Sequence, residues 1–377
     1  MRIQGSWKKY LFYKLILLSA IAIIISMISM IHQQRKTVII DKFEKDSLDV
    51  NSQLKHENQS ELTHNLENFL TLANFETTSN ELTQKHKHSL SNTELVNTRS
   101  LQLTRKLPTA IIIGVAKCAT TALLSFIAAH PNVVGDGYKE IYYFSDSENY
   151  RKGNEWYREQ MPFSNEKQIT IEKTPAYFSD SKSSERVFAL NPNMKIIVIV
   201  CDPVVRAVSH YTHEKNFKMN HFINKALQQN ISDSEIFKSF LLRNERFPQN
   251  TIRNVPIFRD GFYYDHIRSW ARYFPKNQIL FINGEKFRKE PSVEIDKLQT
   301  FLNLEHLIKK EHFVYNQTRG LYCMRNPNTS KSLCMGADKG QKHPEIDKVV
   351  LDELRSLYKP HNQIFFRFIN EEPWWPV

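Results

Sequence analysis

The pattern of apolar and polar positions divides the chain into three parts. Residues 15–31 form an apolar run without a charge, a Pro or a Gly. Residues 32–105 are rich in Asn, Gln, Ser, Thr, Glu and Lys. From Leu107 onward, short β-branched runs alternate with stretches of helical periodicity. The pattern predicts a transmembrane helix, a polar stem and a globular domain over residues 106–377.

The apolar run is at the short end of the length that spans a bilayer. Basic residues precede it: Arg2, Lys8, Lys9 and Lys14. The positive-inside rule therefore predicts a signal anchor with a cytosolic tail over residues 1–14 and a lumenal stem over residues 32–105. The alternative is a cleaved signal peptide. Bulky Met30, Ile31 and His32 stand where a cleavage site requires small residues, which favours the anchor.

The globular domain alternates strand-like and helix-like stretches. Four apolar, β-branched runs predict buried strands at residues 109–115, 168–173, 195–201 and 278–283. Helical stretches lie between and after them, at residues 122–130, 206–215, 264–273 and 346–358. This alternation predicts an α/β fold, an open parallel sheet with helices on both faces. Ligands of such sheets bind beyond the carboxyl ends of the strands.

The first strand leads into a lysine-containing loop and a helix. Lys117, Thr120 and Thr121 lie in this loop, where backbone N–H groups at a helix N-terminus face an anion. The arrangement predicts a P-loop-like phosphate cradle, although its spacing is not that of Walker A. An ordinary strand–helix unit is the alternative. Lys173 and the stretch 201–206 also follow predicted strands, so we expect these groups to converge at one sheet edge.

Composition and charge narrow the possible partners. Apolar residues make up 41% and aromatic residues 12% of the chain, which excludes disorder of the whole chain. The net charge of +11 favours an acidic partner such as nucleic acid, anionic lipid or an acidic polysaccharide. Four N-x-Ser/Thr sequons fit a lumenal, glycosylated chain: Asn58, Asn230, Asn316 and Asn328.

Residues 107 to about 370 contain a series of motifs that include K-L-P-T-A-I-I-I-G-V-A-K, I-T-I-E-K-T-P-A-Y-F, D-P-V-V-R-A-V-S-H-Y and K-G-Q-K-H-P-E-I-D. In the order and spacing of these motifs, this part of the chain resembles the Golgi heparan sulfate sulfotransferases, most closely the glucosaminyl 3-O-sulfotransferases. The resemblance implies the sulfotransferase fold and 3′-phosphoadenosine 5′-phosphosulfate (PAPS) as co-substrate. It also implies heparan sulfate as partner, a single-pass type II position in the Golgi membrane, no nucleic-acid partner and no metal.

The resemblance further implies roles for particular residues. Glu140 matches the general base that removes the acceptor proton. Lys117 matches the phosphate-loop lysine that stabilises the leaving oxygen, and Lys173 matches a lysine of the same site. Donor-binding roles are implied for three stretches: Lys117, Cys118, Ala119, Thr120 and Thr121; Cys201, Arg206 and Ser209; and Lys339, Gly340, Gln341 and Lys342.

The four cysteines separate into two groups. Cys323 and Cys334 match the family's single disulfide. Cys118 and Cys201 are left over, and we expect buried, inert thiols at both positions. A metal site is not indicated, because no second Cys/His pair stands at ligand spacing.

The sequence departs from the family pattern near both substrates, at Ala116, Cys118, Ala119, Tyr142, Ser145, Cys201 and Gln341. Cys201 replaces an arginine, so we expect donor binding about ten- to a hundredfold weaker than in relatives with that arginine. Lys342 and His343 are candidates to supply the missing charge. Alternatives stay open for two residues: Glu140 as a solvated surface charge, and Arg206 as half of a structural ion pair.

Three functions are compatible with these observations. The first is a PAPS-dependent sulfotransferase that modifies a glucosaminyl residue of heparan sulfate, with the 3-O position favoured. The second is the same chemistry with N-sulfotransferase-like specificity. The third is a catalytically weak lumenal protein that binds acidic glycans through its basic surface.

Overall fold

The computed structural model describes most of the chain from residue 103 onward, in residues 103–246, 253, 255–327, 332–336 and 340–377. The predicted tail and anchor lie outside these residues, as do residues 32–102 of the predicted stem, Asn58, Asn328 and Lys339. Within the described residues, no helix combines the length and the apolar character needed to cross a membrane.

A five-stranded parallel sheet lies at the centre of the domain. The ten strands of the described residues, in chain order, are β1 (Thr104–Arg105), β2 (Ala110–Gly114), β3 (Val133–Val134), β4 (Phe163–Ser164), β5 (Ile169–Lys173), β6 (Lys195–Val200), β7 (Ile279–Asn283), β8 (Phe313–Asn316), β9 (Leu321–Arg325) and β10 (Ser332–Leu333). The central sheet has the order β3-β5-β2-β6-β7. Its four longer strands are the predicted ones, within one residue at each end.

The burial of β2 explains its position between β5 and β6. All five of its residues are buried, and successive residues of a strand point to opposite faces. Both faces of the sheet centre are therefore covered. The register places Ile112 beside Lys173 on one side and Ile197 on the other, so the carboxyl ends of β5, β2 and β6 lie side by side.

The described part of the chain also contains twelve α-helices. They are α1 (Thr120–Ile127), α2 (Ser147–Arg151), α3 (Gly153–Glu159), α4 (Ser183–Leu190), α5 (Pro203–Asn216), α6 (His221–Gln228), α7 (Asp233–Arg246), α8 (Pro256–Arg259), α9 (Tyr263–Trp270), α10 (Gly284–Lys289), α11 (Pro291–Phe301) and α12 (Lys348–Ile369). The predicted helices at 122–130, 206–215 and 264–273 correspond to α1, α5 and α9.

The predicted end of the last helix at residue 358 is wrong. The helix α12 continues through Pro360 to Ile369. Proline removes one backbone hydrogen bond inside a helix. Here Phe365 and Phe366 beyond it are buried in the main core, and this burial favours continuation of the helix.

A second, antiparallel sheet has the order β10-β9-β8. It contains the Cys323–Cys334 disulfide that the family resemblance implies. The two-residue strands β1 and β4 form a separate antiparallel pair. No strand was predicted in these regions, since their runs are short and only partly buried.

Candidate active site

A cleft of about 830 Å³ opens beyond the carboxyl ends of the central strands. Most of the predicted site residues line it: Lys117, Cys118, Ala119, Thr120, Thr121, Glu140, Cys201, Arg206, Ser209, Gly340 and Gln341. Lys173 and Lys342 are not among the lining residues, and Lys339 lies outside the described part of the chain. The expected convergence at one sheet edge is therefore seen for the three stretches that follow β2, β5 and β6.

The loop between β2 and α1 adopts an unusual backbone without glycine. Lys117 and Ala119 have φ values of 75° and 71°, both in the left-handed region. Thr120 and Thr121 open α1 and line the cleft. The N–H groups of this first helical turn, together with the helix dipole, favour an anion at this point. We call residues 116–121 the donor loop.

The expectation of two inert thiols at Cys118 and Cys201 is wrong, because these residues form a disulfide. Cys118 lies in the donor loop, and Cys201 directly follows β6. Since β2 and β6 are neighbours in the parallel sheet, the segments that leave their carboxyl ends start side by side. The two Cα atoms are 5.5 Å apart, within the usual range for a bridge.

Further cations lie near Lys117. Arg288 and Arg319 line the cleft together with His343. Burial, and then the charges of Arg288 and Lys117, lower the pKa of His343, which places the three groups in one electrostatic neighbourhood. Arg319 is fixed by the carbonyl oxygens of Met335 and Gly336. Of the two residues expected to replace the missing charge, His343 thus lines the cleft and Lys342 does not.

Neither Arg288 nor Arg319 was predicted as a site residue. Both belong to segments without a recognisable motif, and Lys+Arg residues are abundant in this chain, 51 in total. Charge alone therefore offered no signal that would distinguish these two arginines from the others.

Arg206 on α5 is fully buried at the edge of the cleft. Its guanidinium donates to the carbonyl oxygen of Ile257, and its Nη1 lies 3.3 Å from Nδ1 of His210. Its buried Nε has no hydrogen-bond partner among the described residues. The observed anchor is thus a carbonyl, not the carboxylate of the ion-pair alternative, and one donor stays unsatisfied. Ser209 is half-buried and also lines the cleft.

The Glu140 carboxylate is held at both oxygens. Lys173 Nζ lies 2.6 Å from Oε1, and the Tyr142 hydroxyl donates to Oε2 at 2.7 Å. The Lys173 side chain is only 1% exposed, whereas the Glu140 side chain is 30% exposed. Lys173 therefore reaches the cleft through its ion pair with Glu140. A carboxylate held in this way is not a freely solvated surface charge.

A second pair of residues supports the segment that carries Glu140. The Thr174 hydroxyl accepts hydrogen bonds from the backbone N–H groups of Ile141 and Tyr142, and it donates to Glu172 at 2.5 Å. The Tyr157 hydroxyl also donates to Glu172. Burial raises the pKa of Glu172 to about 7.

Glu172 and Thr174 were not predicted as site residues. The available signal was a polar Glu-Lys-Thr triplet at the end of an otherwise apolar strand. Buried polar groups of this kind require partners. Those of Thr174 include two backbone N–H groups of the segment that carries Glu140, whereas those of Glu172 are the hydroxyls of Thr174 and Tyr157.

The cleft thus brings an anion-binding loop with several cations close to a carboxylate that is oriented for proton transfer. Such a pair suits the transfer of an anionic group to a hydroxyl or amine, whose proton passes to the carboxylate. No group of three His, Cys, Asp or Glu side chains in the described residues is arranged to hold a metal ion. The α/β fold and this site define a group-transfer enzyme of the phosphate-cradle type.

Comparison with known proteins identifies the family of this group-transfer enzyme. The family model described as "Sulfotransferase domain" matches residues 107–365. The chain belongs to this family and is a sulfotransferase, as its motifs predicted. In the crystal structure of the sulfotransferase from Alicyclobacillus acidocaldarius, 99% of that chain superimposes on 71% of this one, with a TM-score of 0.50 and 17% sequence identity. This likeness shows the shared fold.

Curated relatives are more similar in sequence. Heparan sulfate glucosamine 3-O-sulfotransferase 5 of Homo sapiens is 36% identical over 291 residues, which cover 77% of this chain and 80% of the relative. Heparan sulfate glucosamine 3-O-sulfotransferase 3A1 of Mus musculus is 38% identical over 272 residues, with coverage of 72% and 65%. The resemblance to the 3-O-sulfotransferases is therefore confirmed.

Proposed function

We propose that the protein transfers a sulfuryl group from PAPS to the 3-hydroxyl of a glucosaminyl residue in heparan sulfate. The observation that carries the proposal is the position of the donor loop and the Lys173–Glu140 pair around one cleft. The names of the relatives favour the same transferred group, acceptor and position.

The residues of the cleft fit a nucleotide that carries several negative charges. The donor loop offers Lys117 and the first N–H groups of α1. Arg288, Arg319 and His343 add positive or protonatable groups, and the buried Nε of Arg206 lacks an acceptor among the residues that the structure describes. When bound, PAPS would supply the activated sulfuryl group. Lys117 would then stabilise the negative charge that develops on the leaving oxygen.

On the acceptor side, Glu140 would accept the proton of the attacking hydroxyl. Lys173 orients the carboxylate through Oε1, and Tyr142 fixes the rotation of the carboxylate through Oε2. Thr174 would act indirectly, because its hydroxyl holds the backbone N–H groups of Ile141 and Tyr142. Glu172 would act through Thr174, whose hydroxyl donates to it. Preorganisation of this kind lowers the cost of reaching the reactive geometry.

A direct assay tests the proposal. The full-length protein is incubated with radiolabelled PAPS and a panel of heparan sulfate, N-desulfated heparan sulfate and chondroitin, followed by disaccharide mapping. We expect label at the 3-O position of glucosamine in heparan sulfate, and none with the Glu140→Gln variant above background. A Glu155→Gln variant at an exposed position serves as the matched control.

The other outcomes distinguish the alternatives. Label on the glucosamine nitrogen would replace the 3-O assignment with N-sulfotransferase-like specificity. Absence of transfer, combined with retained binding of heparan sulfate, would identify a glycan-binding protein without activity. Transfer to chondroitin alone would overturn the proposed acceptor.

We also propose that residues 15–31 hold the protein in the Golgi membrane with its catalytic domain in the lumen. The pattern of N-terminal charges supports this position, and so do two disulfides, which persist in oxidising compartments. Asn230 is exposed, whereas the Asn316 side chain is half-buried and accepts from the Arg319 N–H. We expect glycosylation at Asn230. A freely secreted protein that begins near residue 35 would overturn the anchor.

A further inference from the structure

The donor loop holds a backbone conformation that its own residues disfavour. Lys117 and Ala119 both lie in the left-handed region, where a Cβ clashes with the neighbouring carbonyl oxygen. Such residues persist only when the surrounding structure determines their conformation. Glycine would adopt it without this penalty, but the loop contains none. Some other feature must therefore hold the loop.

The other end of the Cys118–Cys201 bond is a fixed point. The carbonyl oxygen of Cys201 accepts a hydrogen bond from the buried Tyr263 hydroxyl at 2.7 Å. Gly284, the first residue of α10, packs directly against the same strand end. A Cβ on Gly284 would lie 2.6 Å from the Val200 carbonyl oxygen and 3.0 Å from Cys201 Cβ. The end of β6 thus has little room to move.

The position of Cys118 connects these observations. It lies between the two residues with positive φ, and its side chain is bonded to the fixed strand end. Both cysteines are at most 2% exposed, and both line the cleft. The bond therefore acts on the loop at the point where the backbone is least favourable.

We propose that the Cys118–Cys201 disulfide is a positioning element that holds the donor loop in its anion-binding conformation. The bond stabilises the left-handed backbone conformation that glycine would adopt in this loop without a penalty. The inference rests on the proposed function in one respect, namely that the donor nucleotide binds at this loop. Neither cysteine is assigned a step in the reaction. Their effect passes through Lys117 and the N–H groups of α1.

The test is a comparison of nucleotide affinities. Adenosine 3′,5′-bisphosphate is titrated by calorimetry into the full-length wild-type protein and into the Cys118→Ala/Cys201→Ala double variant. Alanine suits these buried positions because it leaves no polar group without a partner. We expect about tenfold weaker binding by the double variant, since the loop must be ordered when the nucleotide binds.

Two further variants separate positioning from general stability. Val187→Ala removes buried methyl groups on α4, away from the cleft, and should lower the melting temperature without a change in affinity. Ala119→Gly removes the penalty of positive φ. It should restore affinity about fivefold in the disulfide-free protein.

Each outcome decides between the possibilities. A wild-type protein that does not bind the nucleotide would contradict the proposed function itself. If the wild type binds and the double variant binds equally well, the disulfide does not position the loop. If the double variant binds more weakly and Ala119→Gly restores nothing, the bond acts only through overall stability, and the inference fails.

A second measurement covers a double variant that does not fold. Wild-type protein is treated with increasing amounts of a phosphine reductant, and reduction of each disulfide is counted by thiol alkylation and mass spectrometry. Affinity that falls in step with reduction of Cys118–Cys201 supports the inference. Affinity that follows Cys323–Cys334 instead would overturn it.

Discussion

The two sides of the cleft reach their geometry by different physical means. The donor loop is a short connection between β2 and α1, and a covalent bond joins it to the neighbouring strand end. The segment that carries Glu140, residues 135–146, connects β3 to α2 without regular secondary structure. Three backbone N–H groups of this base segment donate hydrogen bonds to side-chain hydroxyls, two of them to Thr174 and one to Tyr177.

This difference predicts that the two sides of the cleft respond differently to substitutions and to changes of pH. A loop held by a covalent bond is insensitive to pH and to the loss of any single hydrogen bond. A segment held by buried polar groups depends on each partner, because an unsatisfied buried donor costs about 1–3 kcal/mol. Substitutions and pH changes on the acceptor side should therefore alter turnover while donor affinity stays unchanged.

The largest effect is expected for Glu140→Gln. The amide of glutamine cannot take up the proton of the sugar hydroxyl, and Lys173 loses its charged partner. Turnover should fall at least about a hundredfold, while binding of adenosine 3′,5′-bisphosphate should be unchanged. Steady-state kinetics and calorimetry on the same preparation measure both quantities. Turnover within tenfold of the wild type would remove Glu140 from the mechanism, and a parallel loss of donor affinity would remove the distinction between the two sides.

Stability should depend on pH through Glu172. Its pKa is raised from 4.5 to about 7 by burial, so the folded protein binds more protons than the unfolded chain in this range. Stability is therefore highest below the unfolded pKa and falls as pH rises towards the folded pKa, by about 3 kcal/mol for this group.

Urea denaturation of the wild type and of Glu172→Gln between about pH 5 and about pH 8 measures this contribution. The neutral amide keeps an acceptor for Thr174 and does not titrate, so the variant should lose this part of the pH dependence. Identical slopes for the two proteins would show that Glu172 titrates normally in the folded state.

A smaller effect is expected for Thr174→Val. The substitution keeps the shape of the side chain and removes the hydroxyl, which leaves the N–H groups of Ile141 and Tyr142 without their acceptor. We expect a loss of about 2 kcal/mol, seen as a lower melting temperature and about tenfold to thirtyfold slower turnover, with donor affinity retained. Thr174→Ser should recover most of the activity.

Thr170→Val is the matched control for that change. Thr170 is buried on β5, the strand that Thr174 directly follows, and within the described residues its hydroxyl makes a long contact of 3.5 Å to Ser164. Equal losses in the two valine variants would mean that the strand tolerates no such substitution, and that Thr174 has no special connection with the base segment.

The smallest effect is expected for Tyr142→Phe. The variant loses one hydrogen bond to Glu140 but keeps the ion pair with Lys173, so turnover should fall about fivefold. The KM for PAPS should not change, because Tyr142 acts on the acceptor side. Tyr315→Phe, at an exposed position on β8, controls for loss of a hydroxyl. An unchanged kcat would show that Lys173 alone orients the carboxylate.

The longer strands of the central sheet could be predicted because each is a continuous run of buried, β-branched residues. The two-residue strand β3 and the small antiparallel sheet could not, since so few residues establish no period. The end of α12 was misplaced because Pro360 is a local signal against a helix. The burial of Phe365 and Phe366, which a local pattern cannot show, favours the opposite.

The prediction that Lys117, Lys173 and Glu140 belong to one site agrees with their positions in the structure, although their roles stay predictions. The Cys118–Cys201 bond could not be foreseen, because its partners become neighbours only through the strand order of the sheet. The support from Glu172 and Thr174 was missed for a related reason. The Thr174 hydroxyl accepts from backbone N–H groups of a segment without periodicity, which the residue types do not reveal, and Glu172 acts through Thr174.

The two disulfides also bear on how the chain can be oxidised as it is synthesised. Successive cysteines pair in order along the chain, Cys118 with Cys201 and Cys323 with Cys334, so neither bond crosses the other. The first closes a loop of 83 residues and the second a loop of 11. On the chain-entropy model, closure removes about 4.5 kcal/mol of unfolded-state entropy in the first case and about 3 kcal/mol in the second.

The 83-residue loop contains β3, β5 and the whole base segment. Once its ends are joined, the acceptor half of the site must be formed within a closed ring of chain. The first cysteine of each bond has its partner in the next cysteine to be synthesised, so pairing in the order of synthesis gives both bonds without later exchange.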